Sequence, residues 1–454
     1  MQLRTSISAG LDRLIKKISL LIPADIKKAA GLKKYIHNTA WLFSEKVLRL
    51  ALGVWIVIWV ARYLGPAKFG LLNYAISFVG LFMPIASLGL DNILIKELTL
   101  NPDKENELMG SAFVLKLTGS LFSVIATTIC CFLINKTATT QFLILISAFT
   151  LLVHPFLIFE FHFRSTIRSK FYALAMMTAL LVSASLRVIF ILYQFPLPYF
   201  AAVPAIELVI VSVFLFIFYI RSNKSVFGWH PDFKIQKRLI KDSWPLLFSG
   251  AMISIYMRID QVMIQNMLGD EAVGFYSAAV RISEAWYFIP VVICQSVLPS
   301  IISSRDYDQR LYDKRLQRLF NLMVFISLSV AIPTTLMANI LIPLLYGASY
   351  APSTFVFQIH IWAGVFVSIG VAASNWLLAE NFQVYYFIIL SMGAVINIIA
   401  NIFLIHHFSF YGAAIATILS QAFSSYMGLF LFSKTRPCFN KISRSFIVYK
   451  WFSP

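Results

Sequence analysis

The sequence predicts an all-α protein that crosses a membrane about twelve times, and three observations predict this fold. Of its 454 residues, 59% are hydrophobic and 13% are charged, whereas soluble globular proteins are about 45–50% apolar. Apolar runs of the roughly 20 residues that a helix needs to cross a bilayer recur between clusters of glycine, proline and charge. Most basic residues lie in alternate connections between these runs, as the positive-inside rule describes.

The longest polar connection, residues 221–242, divides the apolar runs into six and six. We therefore predict two lobes of six helices, 38–220 and 243–433, joined by a cytoplasmic linker. The predicted spans are 38–62, 68–90, 109–134, 141–161, 171–194, 199–220, 243–266, 272–303, 317–346, 353–379, 383–405 and 410–433.

The ends of the chain are basic and are expected on the cytoplasmic side. Residues 1–37 form a basic N-terminal segment, in which apolar residues between 11 and 22 recur at helical spacing opposite Arg and Lys, the pattern of a helix lying in the membrane interface. Residues 434–454 form a basic tail. With both ends inside, the outside connections hold few basic residues, namely Arg62, Lys68 and Lys136.

The net charge of +18 does not indicate nucleic-acid binding here, because the charges alternate with membrane spans and suit the membrane surface. The four cysteines have neither the spacing of a zinc site nor a place in an outside loop. We expect them to be small buried hydrophobic residues, and we expect no metal site.

The two halves resemble each other faintly at one position. The segment LGPAKFG (64–70) and the segment LGDEAVG (268–274) match at one Leu and two Gly, and each lies between the first and second span of its half. Halves inserted in the same orientation are related by an axis along the membrane normal, and they place a substrate site between them.

Charged residues within the predicted spans are the candidate functional residues. Each charge at the bilayer centre costs about 2.5–3.5 kcal/mol, so these residues are expected to face a partner, a water-filled cavity or the headgroups. The cations are Lys46, Arg49, Lys116, Arg187, Arg258 and Arg281, and the carboxylates are Glu45, Glu207, Asp260 and Glu284.

The first cluster lies on the first span. At 100° per residue, Glu45, Lys46 and Arg49 share one arc of the helix. Glu45 and Arg49, at i and i+4, can form an ion pair. Lys46 is then a surplus cation at the cytoplasmic entrance, or it extends to the headgroups.

On the seventh span, Arg258 shares a helix face with Gln261 and Gln265, so the face offers a cation and two amides to a cavity. Asp260 points elsewhere. It either pairs with Lys116 or Arg187, or it titrates as a coupling carboxylate.

On the eighth span, Arg281 and Glu284, at i and i+3, can neutralise each other. Cations in the spans outnumber carboxylates by six to four. Because guanidinium groups bind phosphate oxygens bidentately, this surplus favours a cargo that carries phosphate or carboxylate.

Three long segments resemble the polysaccharide transporter family, specifically the Wzx-type O-antigen flippases. They are ARYLGPAKFGLLNYAISFVGLFMPIASLGLDNILIKEL (61–98), YMRIDQVMIQNMLGDEAVGFYSAAVRISEAW (256–286) and LIPLLYGASYAPSTFVFQIHIW (341–362). The resemblance covers about 38–433. It implies the fold of the superfamily that includes multidrug and toxin extrusion exporters and lipid II flippases, with two six-helix lobes around a central cavity.

The resemblance also implies a function. Such proteins move an undecaprenyl-diphosphate-linked oligosaccharide from the cytoplasmic to the periplasmic leaflet of the bacterial inner membrane, and cavity cations hold the diphosphate. It suggests an O-antigen polymerase and a chain-length regulator as partners, beside membrane lipids. No cofactor is expected except a coupling H⁺ or Na⁺, bound at Asp260 or Glu284.

Two other functions compete with a flippase. A membrane polymerase or ligase would need a site in a long outside loop, whereas the outside loops here are short, and no phosphate-binding loop, metal-binding helix or nucleophile elbow is present in the sequence. A drug exporter of the same fold takes cationic cargo and would favour an acidic cavity. The excess of basic over acidic residues in the spans therefore favours the flippase interpretation.

Overall fold

A computed structural model describes residues 31–134, 137–305 and 307–447, and every regular element within them is helical. The expected interfacial helix of residues 11–22 lies outside the described residues. The first lobe comprises α1 (Gly31–Gly80), α2 (Met83–Ser87), α3 (Leu90–Leu100), α4 (Glu105–Leu133), α5 (Ala138–Val153), α6 (Phe159–Ser165), α7 (Ser169–Leu192) and α8 (Leu197–Arg221).

The second lobe also consists of helices, and the last of its described helices is short and amphipathic. Short 3₁₀ turns at Pro102–Lys104, His154–Ile158, Val226–Gly228, Ala348–Tyr350 and Met427–Phe430 connect helices across both lobes. The helices of the second lobe are α9 (Phe233–Leu268), α10 (Asp270–Glu284), α11 (Phe288–Ser303), α12 (Gln309–Tyr346), α13 (Ser353–His360), α14 (Ala363–Ala379), α15 (Gln383–Ser425) and α16 (Arg436–Ser445).

The structure confirms a helical membrane protein with multiple spans. Within the described residues, nine segments are long and apolar enough to cross a membrane. Two of them each contain two predicted spans, because α1 leaves helical geometry at Gly65 and α15 does so at Ser409. The seventh predicted span lies in α9, whose polar residues keep it outside those nine. Each of the twelve predicted spans thus corresponds to a helical segment.

The bundle has two ends, which we call the linker side, where residues 222–232 join the lobes, and the far side. The turns at Gly65 and Gly269 lie on the far side, and both have positive φ, 70° and 93°, which glycine adopts at little cost. Beyond these turns, α1 and α10 pack backbone to backbone. A Cβ at Gly70 would lie 1.8 Å from the carbonyl oxygen of Asp270, and one at Gly274 would lie 2.0 Å from that of Pro66.

The two glycine-containing segments that resemble each other in sequence therefore meet in the structure. Two further contacts join the lobes on the far side. The Arg62 guanidinium donates to the carbonyl oxygen of Leu345 at 2.6 Å, and the Tyr350 hydroxyl donates to that of Ala61 at 2.8 Å.

The linker is shorter than the sequence predicts. Helix α9 begins at Phe233, because the Asp232 side chain accepts hydrogen bonds from the backbone N–H groups of Lys234 and Ile235, a favourable N-cap. Hydropathy assigned residues 233–242 to the linker because the first turns of α9 are polar. The linker also packs against the first lobe, where Lys224 pairs with Glu105 at 2.6 Å.

The cysteines lie where the sequence places them. All four are free; Cys131, Cys294 and Cys438 are buried, and Cys130 is partly buried. In the terminal helix α16, burial raises the pKa of the Cys438 thiol. The expectation of small buried hydrophobic residues is confirmed.

Candidate functional site

Four arginines from both lobes approach one another. Arg49 lies on α1 and Arg187 on α7, whereas Arg258 lies on α9 and Arg281 on α10. The Arg187 guanidinium lies close enough to Glu207, Arg281 and Arg49 to interact with their charges. Arg258 interacts in the same way with Glu284 and Arg281. Side chains far apart in the sequence thus form one charged cluster.

Within this cluster Arg49 is neutralised. Its Nε donates to Glu45 Oε1 at 2.7 Å, and its Nη1 donates to Glu207 Oε1 at 2.8 Å. The predicted pair of Glu45 with Arg49 is confirmed. The second carboxylate was not predicted as a partner, because Glu207 is 158 residues away in sequence.

Ser183 extends this network to the next arginine. Its hydroxyl donates to Glu207 Oε2 at 3.0 Å and accepts from Arg187 Nη1 at 3.3 Å. Among the described residues, Arg187, Arg258, Arg281 and Lys46 form no ion pair. Three arginines of the cluster therefore keep their charge available.

Arg258 extends from the second lobe into a cavity of about 750 Å³ formed mainly by the first lobe. It lies against Gly80, where a Cβ would come within 2.6 Å of its Cδ and Nε atoms. Only glycine leaves room for the guanidinium in this position. The lining residues are Ile76, Val79, Gly80, Met83, Ser147, Thr150, Leu151, Pro204, Glu207, Leu208 and Arg258.

The predicted ion pair between Arg281 and Glu284 does not form. Glu284 is the last residue of α10, and it lines a different cavity, of about 860 Å³, inside the second lobe. The Arg281 side chain is exposed. Spacing at i and i+3 allowed a pair, but Glu284 lines the second-lobe cavity and Arg281 does not.

Asp260 lies in the wall of that second cavity and is 2% exposed. It accepts hydrogen bonds from the Tyr276 hydroxyl at 2.6 Å, the Thr417 hydroxyl at 2.5 Å and Asn401 Nδ2 at 2.6 Å. The alternative that paired Asp260 with Lys116 or Arg187 is wrong. As the helix geometry predicted, Arg258 and Asp260 face different directions.

The sequence interpretation missed the amides beside Asp260. Asn397 and Asn401 are fully buried, and Asn401 Nδ2 also donates to Asn397 Oδ1 at 3.1 Å. Two amides at i and i+4 within an apolar span are the signal that could have found them, because hydrocarbon disfavours unpaired polar groups.

Lys116 belongs to neither cavity. Its ammonium bonds to Asp91 at 2.8 Å and lies 4.5 Å from the centre of the Phe161 ring, and its side chain is 1% exposed. Asp91 neutralises the ammonium locally, and in this conformation the ammonium does not reach the arginine cluster.

The two predicted cavity amides lie instead at helix contacts. Gln261 accepts a hydrogen bond from the Ser77 hydroxyl of α1, and Gln265 donates to Asp270 at 3.0 Å. They share a helix with Arg258, but their side chains join α9 to α1 and to the start of α10, and neither lines the cavity that holds Arg258. Lys46 is partly buried, one turn from Arg49.

Known proteins resemble this chain in sequence and in fold. The family model described as polysaccharide biosynthesis protein matches residues 35–305. A putative O-antigen transporter of Shigella flexneri is 23% identical over 333 residues, which cover 70% of this chain and 78% of that protein.

Two solved structures share the fold. A lipid II flippase MurJ in an inward closed conformation superimposes with a TM-score of 0.68 at 16% identity, over 92% of this chain and 93% of that one. An inward-facing MATE family multidrug resistance transporter of the MOP superfamily gives a TM-score of 0.66 at 14% identity, over 90% and 96%. At these identities the likeness concerns the fold, and it confirms the predicted architecture.

Proposed function

The chain belongs to the polysaccharide biosynthesis protein family, and on that premise we propose that it flips an undecaprenyl-diphosphate-linked oligosaccharide across the bacterial inner membrane. It is a transporter and not an enzyme, in keeping with its O-antigen transporter relative. The proposed direction is from the cytoplasmic to the periplasmic leaflet. The linker side and both termini would then be cytoplasmic.

One observation carries the proposal: Arg258 enters the cavity of the first lobe without an ion pair among the described residues, near the unpaired Arg281, which in turn lies near the unpaired Arg187. Unpaired guanidinium groups in a site of low dielectric attract an anion strongly and can bind diphosphate oxygens bidentately. A cationic drug would be repelled by the same groups.

The contacts on the far side support transport by alternating access. In the present conformation the bond of Arg62 to Leu345 and the close approach of Gly70 to Gly274 hold the lobes together on that side. Release of cargo there would require these contacts to separate. We propose that they form the closed periplasmic gate.

Coupling to an ion is proposed at Asp260. The carboxylate has three neutral hydrogen-bond donors, and Asn401 Oδ1 is buried without a hydrogen-bond partner among the described residues. Oxygen ligands of this kind suit a hard cation, so Na⁺ is one candidate and H⁺ the other. The membrane potential would also assist, at about 2.3 kcal/mol per outward-moving negative charge per 100 mV.

The proposed cargo also implies partners. A polymerase that joins repeat units and a regulator of chain length would use the flipped oligosaccharide on the periplasmic side. Membrane lipids surround the spans throughout.

A complementation experiment tests the function. A strain lacking its own flippase for a matching O-antigen receives the wild type, Arg258→Ala or Arg281→Ala, with Arg310→Ala as control because Arg310 is exposed outside both cavities. We expect wild type and control to restore the surface polysaccharide ladder, and the two variants of the arginine cluster to restore little. Full ladders from a combined Arg187, Arg258 and Arg281 alanine variant at normal membrane levels would contradict the cationic-cavity mechanism.

A further inference from the structure

An apolar groove runs along the outer face of the first lobe, between α5 and α8. It consists of two adjoining cavities of about 1340 and 940 Å³. Phe149 and Val209 line both cavities, so the two adjoin along α5 and α8. Both residues are exposed, at 52% and 39%, which shows that the groove opens to the surroundings.

The groove is longer than one membrane leaflet is thick. Its lining extends along the chain from Phe142 to Phe156, which at 1.5 Å per residue is roughly 21 Å. One leaflet contributes about half of the roughly 30 Å hydrocarbon core. A single chain that fills the groove must pass the middle of the membrane, which an acyl chain of one phospholipid does not do.

The lining of the groove suits a slender apolar chain. Phenylalanine rings form much of it, and the short side chains of Ala202 and Ala205 leave space beside them. The linker closes one end with Trp229 and Pro231. This end is tightly fitted, because a Cβ at Gly110 would lie 3.2 Å from the backbone of Pro231.

The linker residue at this end is fixed in place. Trp229 Nε1 donates to the Tyr219 hydroxyl at 3.1 Å, and tryptophan is typical of the boundary between hydrocarbon and headgroups. The end wall of the groove therefore belongs to the segment that joins the two lobes.

The same two helices line the charged cavity on their other faces. On α5, Ser147 and Thr150 face that cavity while Phe149 faces the groove; on α8, Glu207 faces the cavity while Val209 faces the groove. One layer of helices, about 10 Å thick, separates the apolar groove from the proposed diphosphate site.

We infer that this groove binds the polyisoprenoid chain of the lipid carrier while the carrier engages the transporter. The inference rests on the proposed function, which it deepens by assigning a site to the lipid part of the cargo. Because lipid tails are as apolar as the groove, the gain comes from packing and not from leaving water. The expected preference for a long chain is therefore modest, about tenfold in Kd.

The test measures binding of undecaprenyl diphosphate and of farnesyl diphosphate to the full chain in nanodiscs of phosphatidylethanolamine and phosphatidylglycerol. Val209→Trp fills the groove, and Val213→Trp, at a 48% exposed position, is a second variant. Val182→Trp on α7 is the matched control, because Val182 is 40% exposed and lies outside the groove.

We expect wild type and Val182→Trp to prefer the long chain, and both groove variants to lose that preference while binding farnesyl diphosphate within about twofold of wild type. Equal long-chain preference in groove and control variants, or no preference in wild type, overturns the inference and leaves phospholipid as the occupant. If farnesyl diphosphate does not bind, the proposed anion site is contradicted. In that case the groove is still supported if undecaprenyl diphosphate binds and only the groove variants weaken its binding.

Discussion

The two lobes hold cavities that differ in their charged residues. The cavity of the first lobe, about 750 Å³, receives Arg258 from the other lobe, whereas the cavity of the second lobe, about 860 Å³, is lined by Asp260 and Glu284 and by no Arg or Lys among the described residues. Glu207 also lines the first cavity, but it is paired with Arg49, so among the described residues Arg258 is the charge left without an ion pair there. Under the proposed function, the separation keeps an anionic cargo apart from the carboxylates of the second cavity. The difference suggests a division of tasks between the lobes.

The sharpest way to break this division is to reverse the charge in the first cavity. Arg258→Glu places a carboxylate near Glu207, and we expect diphosphate binding to weaken about a hundredfold or more because a charge-assisted contact is replaced by repulsion. Isothermal titration calorimetry with farnesyl diphosphate measures this loss of affinity. Arg258→Lys, which keeps the charge but not the planar fork, should recover part of the affinity; equal binding by all three proteins would remove Arg258 from the site.

The next largest effect is expected in the second cavity. Asp260→Asn keeps the side-chain size and removes the charge, so transport driven by an imposed ion gradient should fall about tenfold, while diphosphate binding stays unchanged. Reconstituted vesicles with imposed sodium or proton gradients separate the two ions. If the variant instead loses diphosphate binding and keeps its gradient response, the assignment of tasks to the lobes is wrong.

A smaller effect should follow from Gly80→Ala, which touches no charge. The added methyl group needs the space that Arg258 occupies, so we expect diphosphate affinity to fall about threefold to tenfold as the guanidinium is displaced. Gly250→Ala is the matched control, because its nearest neighbour outside its own helix, Pro84, lies at an ordinary 3.8 Å. Equal affinities for the two variants would show that the position of Arg258 does not depend on Gly80.

The smallest effect on transport is expected at Lys116. Its ammonium is already satisfied by Asp91, so Lys116→Met should change the transport rate by less than about twofold, while loss of the ion pair lowers stability by about 1–3 kcal/mol. Thermal melting in detergent and the transport assay together test this. A transport defect without a loss of stability would return Lys116 to the substrate path.

Local spacing predicted local partners well and distant partners poorly. The pair of Glu45 with Arg49 follows from one helical turn and is present. The partners of Lys116 and Asp260 come from other helices, 25 and up to 157 residues away, and no periodicity within one helix identifies them. For Gln261 and Gln265 the helix face was correct, but which neighbour occupied that face depended on how α9 packs against α1 and α10.

The sequence by itself determined that the chain is helical and that it crosses the membrane many times, because hydrocarbon forces every spanning backbone into internally bonded helices of a set length. Tertiary structure alone decided which charges remain unpaired. A charge inside the membrane takes whichever partner the packing of the helices brings within reach, so Lys116 is neutralised by Asp91 while Arg258 extends into a cavity beside Gly80.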